Sequence, residues 1–461
     1  MLPSLRPSAR RASPPSDRST GAVETEAVPM NKQCWICGVA FLAGSLLNAQ
    51  DVSQAPPEDP KAVVANRSEQ FVELLRRAKA GDGHAQYSVA NAYSVGTGVP
   101  RDDAEAIRWC LQAAQKGLAA AQNRMGYLYE NGLGVPQDFR EAARYFSSAA
   151  EQKLAVAQHN LGHMYQYGQG VPRDYARAAD LYGQAAAQGL GAAQNELGEA
   201  YARGTGVPKS EASAFRLFLL AAEQGEASAQ QNLGVMYLEG RGTARNYPEA
   251  LRWFSQAASR GLVDAYRSLG HMYEYGKGVD RDPVKAVEWY RKAAEVGLVT
   301  AQLELGDLYR IGEGVQQDYF EAAKWFRRAA EQGHPIGENT IGYMYCRGEG
   351  VSRDYRQGAE WLQKAADQNY ALAQSNLGVL YQNGLGVPLS YPEAYKWFTL
   401  AANGRATSRR ALRALAEIMT KAQLREGKAM VSDWQSHHGN LELAGENAQA
   451  TELDSYAASQ P

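Results

Sequence analysis

The chain has 461 residues, with 48 Lys and Arg against 50 Asp and Glu and a formal net charge of -2. This balance excludes the strong positive field typical of nucleic-acid-binding domains and basic lipid-binding surfaces. Hydrophobic residues make up 45 % of the chain, which is ordinary for a packed protein and excludes a wholly disordered one. We therefore expect a folded protein with no nucleic-acid partner.

The first segments of the chain indicate export. Residues 1–29 are rich in Ser, Pro and Arg, and we interpret them as an over-long extension ahead of a true start at Met30. Residues 30–49 carry a lysine, then a mostly apolar run, then Leu-Asn-Ala, which is typical of a signal peptide. The run is too short for an easy membrane span. We expect a periplasmic or secreted chain without an integral membrane span when mature; an organelle transit segment and an uncleaved anchor are the alternatives.

A linker and a capping helix are predicted next, over residues 50–67 and 68–84. The segment EQFVELLRRAKAGDG, which begins at Glu69, aligns with the second helix of the repeat that follows it in the chain. Terminal units of repeat arrays are atypical because they must cover the exposed end of the core. This helix should therefore shield the first repeat unit.

Residues 85–408 form nine units of 36 residues without an insertion. A tyrosine lies three residues before a Gly-x-Gly pair in each unit, and an Ala-Ala doublet closes the unit. The pairs begin at Gly96, Gly132, Gly168, Gly204, Gly240, Gly276, Gly312, Gly348 and Gly384. A fixed period of this length predicts a solenoid of stacked helical units.

Each unit is predicted to contain two helices. In the third unit, Ala157, Leu161 and Met164 give the apolar stripe of a first helix over residues 157–167. Gly162 lies inside that helix, and the same column is glycine in eight of nine units although glycine costs a helix about 1 kcal/mol. We expect the helices to approach too closely there for a Cβ atom.

The loop and the second helix follow from the remaining columns. The first glycine of the Gly168-x-Gly170 pair suits the left-handed end of a helix, and the second suits the turn. In the second helix, alanines such as Ala178 alternate with rings such as Tyr182, which favours interlocking of neighbouring helices. A glycine such as Gly189 ends the unit.

The pattern A-Q-x-x-L-G-x-x-Y-x-x-G-x-G-V, then A-x-x-W-[YF]-x-x-A-A-x-x-G, resembles the Sel1-like repeat, a relative of the tetratricopeptide repeat. The resemblance implies an all-α fold: a right-handed α/α superhelical solenoid of nine helix-turn-helix repeats with helical caps. It also implies that the first helices line a concave surface. Two departures affect local loop shape, namely Thr243-Ala244 in place of Val-Pro and Gly337-Glu338 in place of Ala-Gln.

The end of the chain departs from the repeat. Residues 409–436 keep an apolar stripe, including Leu412 and Leu415, but lose the Gly-x-Gly loop, so they are predicted to be capping helices. Residues 437–461 are polar, and none after His438 is Lys or Arg. We predict a disordered acidic tail there.

Catalytic motifs are missing from the sequence. No serine has lysine three residues later, which is the motif to check because some members of the resembled family are described as β-lactamases. The chain also lacks Gly-x-Ser-x-Gly, His-Glu-x-x-His and a Walker loop. His159 and His163 have a spacing that a metal could use, but no third ligand is evident. We expect no enzyme activity, no metal and no cofactor.

The columns that face away from the core of the first helix change from unit to unit, as at His159, His163 and Tyr167. Tyr and Arg, which are enriched at interface hot spots, recur there together with His. The candidate partner-binding residues are Tyr127, His159, His163, Tyr167, Arg203, Arg267, His271, Tyr275, Tyr343 and Arg347. An ordinary solvated helix face is the alternative interpretation.

These residues predict a non-catalytic scaffold or adaptor that binds protein or peptide partners along the concave groove. A cell-wall or polysaccharide-binding protein is the second interpretation, with the same tyrosines as platforms for sugars. A hydrolase is the third.

Overall fold

The computed structural model describes residues 60–402 and 405–438, with side chains from Glu69 onward. Contacts divide the chain into two compact units, Met1–Ala65 and Asn66–Pro461, and the repeat array lies in the second. The described residues form 21 α-helices and no strand, which confirms the predicted all-α repeat fold. The predicted extension, the signal peptide, residues 50–59 of the predicted linker and the tail after His438 lie outside the described residues, and residues 60–67 of that linker belong to a helix.

Every unit contains a first and a second helix, and consecutive helices pack against each other along the array. The first helices are α2 Gly83–Val95, α4 Ala119–Asn131, α6 Ala155–Tyr167, α8 Gly191–Arg203, α10 Ala227–Glu239, α12 Val263–Tyr275, α14 Val299–Ile311, α16 Pro335–Arg347 and α18 Ala371–Asn383. The second helices are α3 Asp103–Gln115, α5 Phe139–Glu151, α7 Tyr175–Ala187, α9 Glu211–Glu223, α11 Tyr247–Ser259, α13 Pro283–Glu295, α15 Tyr319–Glu331, α17 Tyr355–Asp367 and α19 Tyr391–Ala401.

Three more helices flank the array: α1 Pro60–Lys79, α20 Ala406–Ile418 and α21 Lys421–His438. Phe71 and Ala78 of α1 are buried in the core of the first unit. Both α20 and α21 pack on α19, and the ring of Trp434 lies edge-on to that of Trp397, 6.5 Å between centroids. These helices bury apolar surface that the end units would otherwise expose to water.

The glycine inside each first helix receives a ring from the second helix of the same unit. A Cβ atom added at Gly162 would lie 2.8 Å from the ring of Tyr182, and one added at Gly234 would lie 2.5 Å from that of Phe254. There are two exceptions. In the first unit Ala90 replaces the glycine and Cys110 replaces the ring, and in the eighth unit Gly342 faces Leu362 and the backbone of α17. The close approach predicted from the sequence is therefore present, and the two columns compensate each other in volume.

The two glycines of the Gly-x-Gly pair have different roles. Gly168 ends α6 in the left-handed conformation, with φ 70°. Its N–H donates to the carbonyl oxygen of Met164, as in a left-handed helix end. Gly170 also has a positive φ, but a Cβ atom there would overlap the backbone carbonyl of Phe139, the first residue of the preceding unit's second helix. The second glycine is thus a contact between units as well as a turn residue.

Polar side chains start each second helix and link the units. Asp174 begins α7 by accepting a hydrogen bond from the N–H of Arg177, and Asp, Asn or Ser does the same in all nine units. The buried Gln194 donates to the carbonyl oxygen of Ala186 at 3.3 Å and accepts from Nε2 of Gln224 at 2.8 Å. Equivalent glutamine bonds recur along the array and satisfy polar groups inside the stack.

Candidate interaction surface

The outward columns of the first helices, those of His159, His163 and Tyr167, are here called the A face. Several large apolar side chains on it are exposed, among them Tyr167 at 56 % and Tyr275 at 58 %. The large apolar side chains that are exposed in the columns of Tyr167 and His163 are Val95, Tyr167, Tyr275, Ile311, Tyr343 and Val379. They belong to six of the nine units, so the A face carries an apolar row that runs from the first unit to the ninth.

In the third unit the structure brings His159, His163 and Tyr167 together on α6. The ring of Tyr167 lies 4.5 Å from that of His163, and the half-buried ring of His159 lies 5.7 Å from that of Tyr182. Burial lowers the pKa of both imidazoles, so both are neutral at pH 7. Beneath them, the hydroxyl of Tyr182 donates to Oε1 of Gln166 at 2.8 Å.

In the sixth unit Arg267, His271 and Tyr275 lie together on α12. The imidazole of His271 stacks on the ring of Tyr275 with 5.7 Å between centroids. Arg267 and His271 both contact the carboxylate of Glu304 in the next unit, at 2.7 and 2.9 Å. Arg267 therefore connects two neighbouring units through this ion pair. Its role in binding a partner stays a prediction.

The other candidate residues lie apart from these two groups. Tyr127 is half-buried and packs on the core around Phe146. Arg203 is exposed and pairs with Glu199 on its own helix at 2.7 Å. In the eighth unit the guanidinium of Arg347 lies 6.0 Å from the ring centroid of the exposed Tyr343.

Carboxylates on and beside the A face are the residues that our selection of candidates missed. Glu196 and Glu199 lie beside the third unit's group, and burial together with the charge of Glu199 raises the pKa of Glu196 to about 7. Beside the sixth unit's group, Oε2 of Glu274 accepts a hydrogen bond of 2.5 Å from the hydroxyl of Tyr290. The signal was present in the sequence, because Glu196 and Glu304 share one column and are the only carboxylates in it.

Metal sites and membrane spans are both absent from residues 60–402 and 405–438. No group of three or more His, Cys, Asp and Glu side chains there has an arrangement that could hold a metal ion. No helix in this part of the chain is long and apolar enough to cross a bilayer.

Comparison with known proteins identifies the repeat. The Sel1 repeat family matches residues 83–118, 119–154, 155–190, 191–226, 227–262, 263–298, 299–334, 337–370 and 371–404. No curated protein sequence matches the chain.

Two solved structures are similar in sequence. A Sel1 repeat protein from Oxalobacter formigenes is 33 % identical over 73 % of this chain and 97 % of its own, with a TM-score of 0.53. The protein c5321, a protective antigen present in uropathogenic Escherichia coli strains, is 31 % identical over 82 % of this chain and 92 % of its own, with a TM-score of 0.49.

The family match covers most of the chain and has the same period as the helix pairs of the structure. Sel1 repeat proteins are generally scaffolds for protein interactions and typically lack catalytic activity. The nine matched segments, the helix pairs and the similarity to the Oxalobacter formigenes protein agree, and the chain therefore belongs to the Sel1 repeat family.

Proposed function

We propose that this protein is an exported, non-catalytic scaffold that binds protein or peptide partners along its A face. The observation that carries the proposal is the row of six exposed apolar side chains on that face. Burying such side chains stabilises a complex by about 25 cal/mol per Å² of apolar surface. A row of them on one face is typical of an interaction site, whereas single exposed apolar residues are not.

The tyrosines are the expected anchors of this surface. Tyr167, Tyr275 and Tyr343 each combine a large apolar ring with a hydroxyl, and such side chains dominate the binding energy of many interfaces. Each also has an imidazole or a guanidinium as its neighbour, so a partner meets an aromatic ring and a polar group together.

The extent of the surface favours a scaffold over a site for one small molecule. First helices of neighbouring units packed about 10 Å apart would extend over roughly 80 Å from the first unit to the ninth. An extended peptide or the faces of two proteins can occupy a surface of this length. We infer that the protein brings partners together in the cell envelope.

The test is a comparison of binding partners retained by three forms of the full chain. The first is the wild type, and the second has Tyr167, Tyr275 and Tyr343 changed to alanine. Tyr127 is kept because it packs on the core. The third is a matched control with alanine at Tyr175 and Tyr319, which are exposed tyrosines on second helices.

We expect envelope proteins that the wild type and the control retain to be lost from the A-face variant. Circular dichroism must show equal helix content for all three forms. Equal retention by all three would contradict the proposal. Retention of purified cell-wall material by the wild type, with loss in the A-face variant, would instead favour the polysaccharide-binding alternative.

Export has its own test. Mass spectrometry of the protein isolated from fractionated cells should find an N-terminus close to residue 50, in the periplasmic or secreted fraction. An intact N-terminus in the cytoplasmic fraction would contradict export and leave binding by the A face untouched.

A further inference from the structure

The third and sixth units share side chains that no other unit carries at the same positions. His163 and His271 are the only histidines of their column, and Tyr167 and Tyr275 are the only tyrosines of theirs. The ring column of the second helix is tyrosine only in these two units. Its members are Cys110, Phe146, Tyr182, Phe218, Phe254, Tyr290, Phe326, Leu362 and Phe398.

The unit that follows each of these two also differs from the rest. Glu196 and Glu304 are the only carboxylates of one column, and Glu199 and Asp307 are the only carboxylates of another. Four columns thus change together, since Glu199 and Asp307 belong to the column of His163, at two places that are 108 residues, or three units, apart. Stacking does not demand these side chains, since the other units pack without them.

The structure brings each set together. We call the first set site 1 and define it by His163, Tyr167, Tyr182, Glu196 and Glu199. The exposed ring of Tyr167 contacts His163, and the nearby charges of Glu196 and Glu199 add to burial in raising the pKa of Tyr182.

The second set is site 2, defined by His271, Tyr275, Tyr290, Glu304 and Asp307. His271 contacts both tyrosine rings, stacked on Tyr275 and edge-on to Tyr290. Burial raises the pKa values of Tyr275 and Tyr290, and the charges of Glu274 and Glu304 raise them further. The two sites therefore share a plan: an exposed tyrosine beside an imidazole, with a second tyrosine and two carboxylates below.

Both sites hold more carboxylates than guanidinium groups. At site 1, Glu196 and Glu199 lie near one arginine, Arg203, which pairs with Glu199. At site 2, Glu304 pairs with Arg267 and Asp307 pairs with Arg310 at 2.8 Å. Glu274 is the third carboxylate there and accepts from Tyr290. Site 1 thus has one carboxylate in excess beside an exposed aromatic face. At site 2 the ammonium of Lys277, 5.5 Å from the ring centroid of Tyr275, balances the third carboxylate and shows that this ring face accepts a cation.

We propose that sites 1 and 2 are equivalent subsites that bind two Lys or Arg side chains of one extended, basic peptide. This inference rests on the proposed function of the A face and adds the chemistry of the partner. A cationic side chain fits because the face of a tyrosine ring attracts a cation and an adjacent carboxylate forms a charge-assisted hydrogen bond with it. An acidic or phosphorylated segment would meet repulsion at both sites.

The distance between the sites sets the spacing of the two cations. Three spacings of about 10 Å between neighbouring first helices place the sites roughly 30 Å apart. An extended chain advances about 3.3–3.6 Å per residue. The two basic side chains should therefore lie about nine residues apart in the peptide.

The test measures the affinity of fluorescent 15-residue peptides, built on one Gly/Ser background, for the full chain. One peptide has two arginines nine residues apart, one has two arginines three residues apart, one has a single arginine, and one has two glutamates nine residues apart. Low ionic strength keeps screening weak. A buffer of pH 8 keeps the carboxyl of Glu196 ionised.

We expect the widely spaced arginine pair to bind at least ten-fold more tightly than the single arginine, because the second contact is intramolecular. Tyr167→Ala alone and Tyr275→Ala alone should each reduce this affinity to that of the single-arginine peptide. Tyr175→Ala, the matched control, should leave it unchanged. Glu196→Gln combined with Glu274→Gln should weaken binding while all the rings are retained.

An affinity gain below two-fold for the wide pair would overturn the proposal, as would equal binding of the narrow pair or of the glutamate peptide. Equal loss in the Tyr175→Ala control would overturn it too. The partner-retention experiment separates this failure from failure of the proposed function. If the A-face tyrosines are needed to retain a partner but arginine peptides show no preference, the A face is a binding surface with another partner chemistry.

Discussion

Gly162 and His163 are neighbours in the sequence and belong to two regions under opposite constraints. The column of Gly162 is glycine in eight units, and each of those glycines faces a ring or the backbone of the second helix at a distance where no Cβ atom fits. The column of His163 holds six different residue types in nine units. One helix thus has a face that is nearly uniform and a face that changes at every step.

The difference shows where the repeat is constrained by packing. Interiors are packed so closely that one added methyl group forces its neighbours to move, whereas an outward side chain meets mostly water. Substitutions between units should therefore have large effects on stability at the helix contacts and small ones on the A face. Four predictions test this comparison, beginning with the largest effect.

Gly170→Ala should cause the greatest loss of stability, on the order of 3 kcal/mol. A left-handed conformation costs alanine about 1–2 kcal/mol, and the added Cβ atom would overlap the backbone carbonyl of Phe139, which cannot move without shifting α5. Gly189→Ala is the matched control, because its φ is also positive but no atom lies within 4 Å of the added Cβ atom. Urea denaturation followed by circular dichroism measures both.

The Gly189→Ala variant should lose only the stability that the left-handed backbone conformation costs an alanine. The structure supports this expectation. Lys153 and Asn369 occupy the same column as Gly189 in two other units with φ values of 63° and 62°. If Gly170→Ala and Gly189→Ala lose equal stability, the second glycine of the loop is a turn residue and the contact between units adds nothing.

Gly234→Ala should destabilise the protein by about 1–3 kcal/mol, because its Cβ atom would lie 2.5 Å from the ring of Phe254. Gly183→Ala, inside α7, should instead stabilise it by up to about 1 kcal/mol, because alanine is the better helix former and nothing lies within 4 Å. Glycine-to-alanine substitution should therefore lower stability in the first helix and raise it in the second. Melting temperatures of the two variants and the wild type test this prediction. A higher melting temperature in both variants would show that the rings of the second helices can move to make room for a Cβ atom.

Glu196→Gln should raise stability at pH 8 by on the order of 1 kcal/mol and should have no such effect at pH 4. The pKa of Glu196 in the folded chain is about 7, raised mainly by burial from the ordinary value of 4.5. A raised acid pKa means that the folded state holds the proton more tightly, so stability is lost as the pH rises from about 4.5 to about 7. The difference in melting temperature between variant and wild type, measured across this range, should grow with pH; a constant difference would contradict the assignment.

Tyr167→Ala, Tyr275→Ala and Tyr343→Ala should each change stability by less than about 0.5 kcal/mol, because these rings are exposed. Tyr127→Ala should cost more, because this ring packs on the core beside Phe146. Urea midpoints for the four variants provide the measurement. A loss in the first three comparable to that of Gly234→Ala would show that the A face is part of the stack.

Much of the fold could be predicted from the columns of the repeat. The period, the two helices per unit, the left-handed glycine after the first helix and the close approach at Gly162 all follow from residue types at fixed positions. The contact of Gly170 with the preceding unit did not follow, because it joins residues whose relative position depends on how units stack. The helix-starting role of Asp174 was readable from its column and was missed.

The interaction surface could be predicted only as a set of outward columns. His163 and Tyr167 were chosen by type, and their contact with each other depends on a helical turn that the sequence implies. The involvement of Arg267 with Glu304 and the burial of Tyr127 depend on neighbouring units. The residue type alone does not show whether an outward side chain is exposed or contacts the core or a neighbouring unit.

The sequence by itself determined the family, the number of units and the face on which they vary, because a strict period makes every local preference recur nine times. The tertiary structure decided which outward side chains remain free and which connect units, because that depends on the offset between stacked helices. It also united four matching columns into two sites. Residues as far apart in the chain as Arg267 and Glu304 meet only after neighbouring units have packed.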